Sequence, residues 1–548
     1  MTSSGEYEAA RSRSWLDRIV VDLLRQLRWS FLPPLMIYFA AGAQGLTSVV
    51  GTFFVKEYLD VSAAFIAGLA FWAGLPWALK MPLGHLVDLI WRRKAGLIYI
   101  GAALIAASFL IMFGLATRAD WLPDVLSTTG WYVVAVLLAP CGYVVQDAVA
   151  DAMSVEAVPR TNPDGTPLAP KTERALHTTM QTLGRFALIG GASVVALLNI
   201  WLFSGIETLP AEEKASTYGQ IYLLALVIPC ISISGVLLAG IQKRLSIRKM
   251  ISLGMSRTEA TAQFDPDGEP VRANHWYFTG GAIFVVMTLT VGLSDAPYSQ
   301  EIVFAGSMAI VLTLMRQLIR NLEPDKARAL VGTAIIIFVF RAVPLNGAGA
   351  TWFEIDVLGF DQQFLSVLYL ITSVLTLVGM IVLRPMMASK SIADIVILLS
   401  IAAGLLSLPG IGLYYGIHNW TAAMTGGLVD ARFIAVINTA VESPLGQISM
   451  IPMLAWIARN APSRLKATFF AVMASFTNLA LSASSLATKY LNQFFVVTRE
   501  VQAEDGTITT PADYSDLGML LITVSVITVA APLLTVWIIQ HSPLRTSD

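Results

Sequence analysis

From about residue 31 to about residue 539 the chain repeats one pattern, an apolar run of about twenty residues followed by a short polar break. Crossing the hydrocarbon core of a bilayer takes roughly 20 apolar residues in a helix, which satisfies its own backbone polar groups where no water can. Fourteen such runs can be read, with ends uncertain by a few residues. Six lie at about 31–54, 63–86, 95–117, 130–153, 176–203 and 217–241. After the polar stretch 242–275 come two shorter ones, about 276–293 and 300–320. Six more follow at about 328–352, 364–387, 391–416, 428–457, 467–493 and 515–539. The composition agrees: of 548 residues 55% are hydrophobic and 13% charged. Soluble proteins carry about 25% charged residues, so this chain has too little polar surface to cover a water-soluble globule. That argues against a soluble enzyme, a disordered chain or a nucleic-acid binder, and a net charge of −1 offers nothing to a polyanion. Cys141 and Cys230 both sit inside apolar runs, which excludes a disulfide framework and any CxxC spacing for a metal. The expected class is an all-α polytopic membrane protein.

Orientation follows from the excess of Lys and Arg on cytoplasmic loops. With the N-terminus inside, about 27 of the 36 Lys and Arg fall on cytoplasmic segments, among them Arg92-Arg93-Lys94, Lys243-Arg244 and Arg248-Lys249. Only Lys56, Arg118, Lys214 and Arg499 fall outside, and Lys80, Arg185, Arg341, Arg432 and Lys489 fall within runs. Both termini are therefore expected in the cytoplasm, with the plasma (inner) membrane as the expected location. Residues 1–30, with five arginines, are too polar for a signal peptide. Trp15, Leu16, Ile19, Val20, Leu23, Leu24 and Leu27 share one helical face, which suits an amphipathic segment on the inner leaflet or on the protein's own cytoplasmic face.

The expected organisation is an N-terminal segment (1–30), a six-helix half (31–241), a cytoplasmic linker (242–275), an inserted helix pair (276–326), a second six-helix half (327–540) and a cytoplasmic tail (541–548). A weak repeat supports two parallel halves. At an offset of 299 residues, Phe54, Leu59, Phe65 and Leu69 match Phe353, Leu358, Phe364 and Leu368, and Glu57 matches Asp356 in kind.

Between the second and third runs stands Gly84-His-Leu-Val-Asp88-Leu-Ile-Trp-Arg92-Arg93-Lys94. It resembles the signature of the major facilitator superfamily, G-x-L-x-D followed by a basic cluster. In that reading Gly84 permits close helix approach, Asp88 caps or pairs at a helix end, and Arg92 and Arg93 complete a latch that holds one conformational state. Further motifs are similar to those of the folate–biopterin transporter family. Leu75-Pro76-Trp77-Ala-Leu-Lys80-Met-Pro82-Leu-Gly84 looks like P-W-x-x-K-P-x-x-G, and Gln146-Asp147-Ala-Val-Ala-Asp151-Ala152-Met-Ser-Val-Glu156 like D-x-x-x-D-A-x-x-x-E. Ile451-Pro452 through Pro462, and Ala467-Thr468 through Asn478, resemble its late motifs. Ala461, Arg464 and Lys466 depart from the family's Cys, Gly and Glu. The muropeptide-permease-like transporters share the Q-D-x-x-x-D-A-x-x-x-E element.

Ionisable residues inside apolar runs are costly and mark candidate sites. Lys80 can meet a solute carboxylate or pair with Asp147 or Asp151. Those two aspartates, four residues apart, share a helix face and could carry a proton. Arg341, in the first helix of the second half, ranks first among substrate contacts, with Arg185 beside it as a second guanidinium able to grip a carboxylate. Gln44 and Asn478 could add neutral hydrogen bonds or simply join helices. Glu442 is a further coupling candidate, and Arg432 is expected to pair with Asp430. No P-loop and no catalytic constellation is visible, so neither enzyme activity nor a cofactor is expected.

The resemblance implies a major facilitator fold in a 6 + 2 + 6 arrangement of about fourteen transmembrane helices. It implies a secondary transporter that moves folate, a pterin or a similar anionic solute by alternating access. Intramembrane carboxylates make the proton the simplest coupling ion. The alternatives are a transporter of muropeptide-like or other anionic metabolites, and a transport-inactive membrane scaffold or sensor.

Overall fold

A computed structural model describes residues 27–59, 61–117, 125–159, 169–262, 264, 275–292, 294, 296–320, 323–383, 390–445, 466–502 and 508–546. The amphipathic segment over 1–26, most of the linker end at 265–274 and the Ile451–Pro462 motif lie outside the described residues.

The first half contains α1 (Leu32–Ala43), α2 (Ser48–Tyr58), α3 (Ala63–Gly74), α4 (Lys80–Leu89), α5 (Ala95–Ala116), α6 (Thr128–Glu156), α7 (Pro170–Leu202), α8 (Ala211–Ala225) and α9 (Val227–Ser252). The short α10 (Arg257–Ala262) and the inserted pair α11 (His275–Gly292) and α12 (Ser299–Ile319) follow. The second half contains α13 (Pro324–Arg341), α14 (Ala348–Asp356), α15 (Gln362–Val382), α16 (Ile392–Tyr414), α17 (Ile417–Met424), α18 (Ala431–Glu442), α19 (Lys466–Phe494) and α20 (Leu517–Gln540). The one antiparallel ribbon among the described residues, β1 (Val501–Gln502) with β2 (Ile508–Thr510), lies between α19 and α20. Nine helical stretches among the described residues are long and apolar enough to cross a membrane, fewer than the fourteen expected. One cause is visible at residues 324–356, where a single apolar run becomes two short helices.

Two more such breaks flank residues singled out above, Gln44 and Lys80. Residues 342–347, with Pro344 and Gly347 (φ 79°), separate α13 from α14. A 3₁₀ turn at Gln44–Thr47 separates α1 from α2, and another at Leu75–Leu79, containing Pro76, separates α3 from α4. Irregular backbone at membrane depth is tolerated only where protein or a water-filled cavity receives its polar groups. Shifting Gln44–Thr47 by the repeat offset of 299 lands inside the 342–347 break, so the first helix of each half is interrupted at the equivalent place.

The halves meet along two seams, α7 against α15 and α3 against α19. Within the first half α1 lies on α7 with their backbones nearly touching. A Cβ at Gly42 would stand 1.7 Å from the Leu188 carbonyl oxygen, and one at Gly191 would stand 2.3 Å from that of Phe39. Such contact is open only to residues without side chains, as at close helix crossings in membranes.

The inserted pair is an antiparallel hairpin, with Gly280 facing Ile310 and Gly306 facing Met287. It lies across the α3–α19 seam. Gln300 Nε2 donates to the Gly68 carbonyl of α3 at 3.1 Å, while Glu301 accepts from Lys489 Nζ at 3.3 Å and from the Tyr490 hydroxyl at 2.5 Å, both on α19.

Two ends of the bundle can be told apart by charge. At the basic end Lys94 Nζ reaches Glu156 Oε2 at 2.5 Å and Lys243 Nζ reaches Glu156 Oε1 at 3.3 Å. At the far end, links join the halves. Lys56 Nζ on α2 meets Asp356 Oδ1 on α14 at 2.5 Å, and Asp356 also accepts from the Tyr514 hydroxyl at 2.5 Å. The buried guanidinium of Arg499 donates to the carbonyls of Lys56 and Leu59. Gln362 Nε2 on α15 donates to the Tyr218 hydroxyl on α8 at 3.0 Å, and Tyr218 donates to Glu57 Oε2 at 3.3 Å.

Candidate functional site

Lys80 is the first residue of α4, directly after the 3₁₀ break in its helix. Its ammonium lies 2.6 Å from Asp147 Oδ2 and 2.8 Å from Asp151 Oδ2. Both carboxylates come from α6, one turn apart, so a single cation at the right height reaches both. The Tyr38 hydroxyl of α1 donates to Asp151 Oδ1 at 2.8 Å. Tyr38 is buried, and its ring fills the place that a side chain at Gly184 would take, 3.0 Å from a Cβ built there. Arg185, the next residue on α7, acts electrostatically on both aspartates, though its own side chain is exposed. One lysine against two carboxylates leaves one negative charge, and Arg185 offsets it. Among the described residues no group of three or more His, Cys, Asp or Glu could hold a metal ion.

Of the residues picked out in the sequence, Lys80, Asp147, Asp151 and Arg185 thus come together around α4, α6 and α7. Gln44 and Arg341 do not join this cluster by contact. Each stands at the break of its own helix, Gln44 exposed and Arg341 half-buried at the end of α13. Asn478 Nδ2 donates to the Trp77 carbonyl at 3.2 Å, an oxygen in the α3–α4 break that also accepts from the Lys80 amide, and so bridges the two halves. Glu442 is exposed at the last residue of α18. Asp88 is half-buried on α4, and Arg92 and Arg93 are exposed in the turn Trp91–Arg93.

Two expectations need correction. A Cβ at Gly84 would meet nothing within 4 Å among the described residues, so the expected close helix approach is not seen there. Arg432 pairs with Asp361 at 2.8 Å and the Gly359 carbonyl at 2.7 Å rather than with Asp430. Asp430 is engaged as the N-cap of α18, accepting from the Phe433 amide at 2.8 Å. Gln146, beside Asp147 in the motif, is buried and ties α6 to its neighbours, accepting from Ser232 at 3.0 Å and donating to the Ile98 carbonyl at 3.3 Å.

Sequence reasoning missed Tyr38. It lies in an apolar run where a tyrosine carries no local signal, and its hydroxyl finds Asp151 only through the α1–α6 packing. Tyr38→Phe removes one neutral-to-charged hydrogen bond. It should lower stability by about 1.5–3 kcal/mol while leaving the Lys80 pairs in place, as thermal melting in detergent would measure. A wild-type melting curve would show that the Tyr38–Asp151 contact contributes nothing.

The comparisons bear on what such a bundle belongs to. The model of the BT1 family matches residues 178–547. A folate-biopterin transporter from Synechocystis sp. is 23% identical over 459 residues, covering 82% of this chain and 72% of its own. The fold is similar to that of a peptide transporter of the POT family in complex with alafosfalin, with TM-score 0.59, 14% identity, and 94% of this chain and 96% of that chain covered. It is also similar to the nucleoside transporter NupG, with TM-score 0.52, 11% identity, and 92% and 98% covered. A multi-pass bundle with ionisable residues within its helices, the transporter fold and the family match together make this chain a membrane transporter of the BT1 family.

Proposed function

We propose that the chain is a secondary transporter that carries folate, a pterin or a similar anionic solute by alternating access, with protons as the coupling ion. The observation that carries this reading is the matched interruption of the first helix in each half, beside a charged cluster on α4 and α6. Interrupted helices in corresponding positions of two halves mark solute sites in transporters, because their freed backbone groups need a partner at membrane depth.

The charges suggest how solute and proton load together. Lys80 neutralises one of two carboxylates. A solute carboxylate that takes the Lys80 ammonium leaves both aspartates without their cation. A proton on Asp147 or Asp151 then removes the charge that would otherwise repel the solute. Arg341, at the opposing break, offers a second cation to the same anion. The far-end links between the halves support a state closed at that end and open toward the basic end, which on the Lys/Arg bias is expected to face the cytoplasm. In the opposite state those links separate, and helices close near Gly84, where space is now open. Asp88, Arg92 and Arg93 then latch that end, Asn478 exchanges its backbone partner for solute, and the exposed Gln44 adds a second neutral contact. Glu442 takes its part in coupling on the second half.

The test is uptake of labelled folate and of a labelled pterin into proteoliposomes with an imposed pH gradient. Uptake should follow the gradient, Arg341→Ala should raise KM by about tenfold or more from the loss of one bidentate contact, and Asp147→Asn should keep solute exchange but lose the response to the gradient. Gradient-independent uptake in the wild type would remove the proton from the scheme. No uptake of either solute by folded protein would remove folates and pterins, and direct the search to other anionic metabolites.

A further inference from the structure

The face of α6 that carries Asp147 and Asp151 continues one turn toward the far end to Tyr143, four residues before Asp147. At 1.5 Å per residue that step is about 6 Å, and it puts Tyr143 halfway along α6, which runs from Thr128 to Glu156. Tyr143 is buried, with 6% of its surface exposed. Its hydroxyl is buried too and has no hydrogen-bond partner among the described residues. The polar groups next along this face are all engaged: Asp147 and Asp151 hold Lys80, and the Tyr38 hydroxyl holds Asp151. A buried hydroxyl that gives up water and gains no partner is unfavourable, and phenylalanine would fill the same space without that cost.

Toward the basic end, Ala148, Val149, Ala150 and Met153 of α6 belong to one apolar cluster. Tyr143 belongs to another, which holds Phe54 and Tyr218 of the far end. Trp77, from the break just before Lys80, packs on this second cluster, and so do Ile355 of α14 and Leu365 of α15 from the other half. The break at Leu75–Leu79 itself lies against α6. The second cluster therefore draws on both halves, on the same side as the links Lys56–Asp356 and Tyr218–Gln362.

We propose, on the transport reading given above, that the Tyr143 hydroxyl is a solute contact, taken by an uncharged hydrogen-bonding group of the solute while a solute carboxylate is held at Lys80. Separation of the far-end links parts the cluster that covers Tyr143, so the solute meets the hydroxyl in the state open to the far end. A hydroxyl both donates and accepts, which suits the mixed edge of a pterin ring or an amide. A site built to hydrogen-bond a group of its substrate rejects analogues that lack it, so Lys80 selects for charge and Tyr143 for the neutral part of the molecule.

The experiment compares full-length Tyr143→Phe with the wild type in two ways. One is melting in detergent, with and without folate or a pterin. The other is uptake of the labelled solutes into proteoliposomes over a range of concentrations. Without solute the variant should melt at or above the wild-type temperature, the opposite of Tyr38→Phe, because the hydroxyl it loses holds no partner among the described residues. With solute its gain in melting temperature should be smaller than that of the wild type. Its KM should rise about five- to tenfold, as the loss of one hydrogen bond predicts, with kcat within about twofold. A solute-free variant that melts below the wild type would show that the hydroxyl serves the fold and would overturn the proposal. A wild type that responds to neither solute would overturn the proposed solutes and this contact with them. A wild-type response that the folded variant matches, in both melting and KM, would overturn this contact alone.

Discussion

Lys80→Met should abolish uptake and destabilise the protein together. The substitution keeps roughly the length of the side chain and removes the cation that, among the described residues, pairs with both Asp147 and Asp151. Breaking a buried ion pair by deleting one partner costs about 3–5 kcal/mol, since the other charge stays behind. Here the side chains keep 18–46% of their exposure, so the loss should fall near the lower end of that range. Uptake should drop at least about a hundredfold, the equivalent of some 3 kcal/mol at the transition state. The double variant Lys80→Met/Asp147→Asn separates the two effects. It removes the surplus charge and should recover most of the melting temperature while remaining inactive. Recovery of transport in the double variant would mean that Lys80 serves the fold alone.

The second large effect is expected from Gly42→Ala. A Cβ at this position meets a backbone carbonyl at 1.7 Å, with the Leu188 carbonyl carbon at 2.6 Å. No rotamer relieves a clash with main chain, so α1 and α7 must part by more than an ångström. Overpacking of a tight interior costs about 1–3 kcal/mol and at times more, and this contact should lie at the top of that range. The protein should melt well below the wild type or fail to elute as a single species. Gly184→Ala is the informative contrast. Its Cβ meets only the Tyr38 ring, at 3.0 Å, which can turn aside. That variant should fold as a single species and lose the Tyr38–Asp151 contact, so it should melt like Tyr38→Phe. If Gly42→Ala melts like the wild type, the close crossing of α1 and α7 does not exist in solution.

Much of this architecture is legible in the residue order because the bilayer allows so few solutions. Apolar run length announces the helices, and Pro76, Pro344 and Gly347 announce two of the three breaks. The third, at Gln44–Thr47, carries no proline and becomes visible only when the two halves are laid over one another. The charged centre is partly legible: Lys80, Asp147 and Asp151 stand out as ionisable residues in apolar runs, and the four-residue spacing puts the aspartates on one face. Which cation meets which carboxylate is decided by helix rotation and height, which hydropathy does not encode. Arg432 shows the same limit, since Asp430 is nearer in sequence but already occupied as a cap. Gly84 shows the converse. A glycine in a motif reads as a crossing point, yet among the described residues nothing lies within 4 Å of a Cβ placed there, and sequence alone does not say in which conformation a crossing would form.

The hairpin laid across the α3–α19 seam is fastened unequally. Among the described residues its polar hold on α3 is one neutral hydrogen bond, Gln300 to the Gly68 carbonyl, worth about 1 kcal/mol net, beside apolar packing of Phe71 and Trp72 on Phe284, Met287 and Val303. Its hold on α19 is a carboxylate shared by Lys489 and Tyr490, and bonds to a charged group are worth about 1.5–3 kcal/mol each. Should the seam shear, as the proposed alternating access requires, the neutral hydrogen bond is the polar fastening expected to part first, and the hairpin should stay clipped to α19.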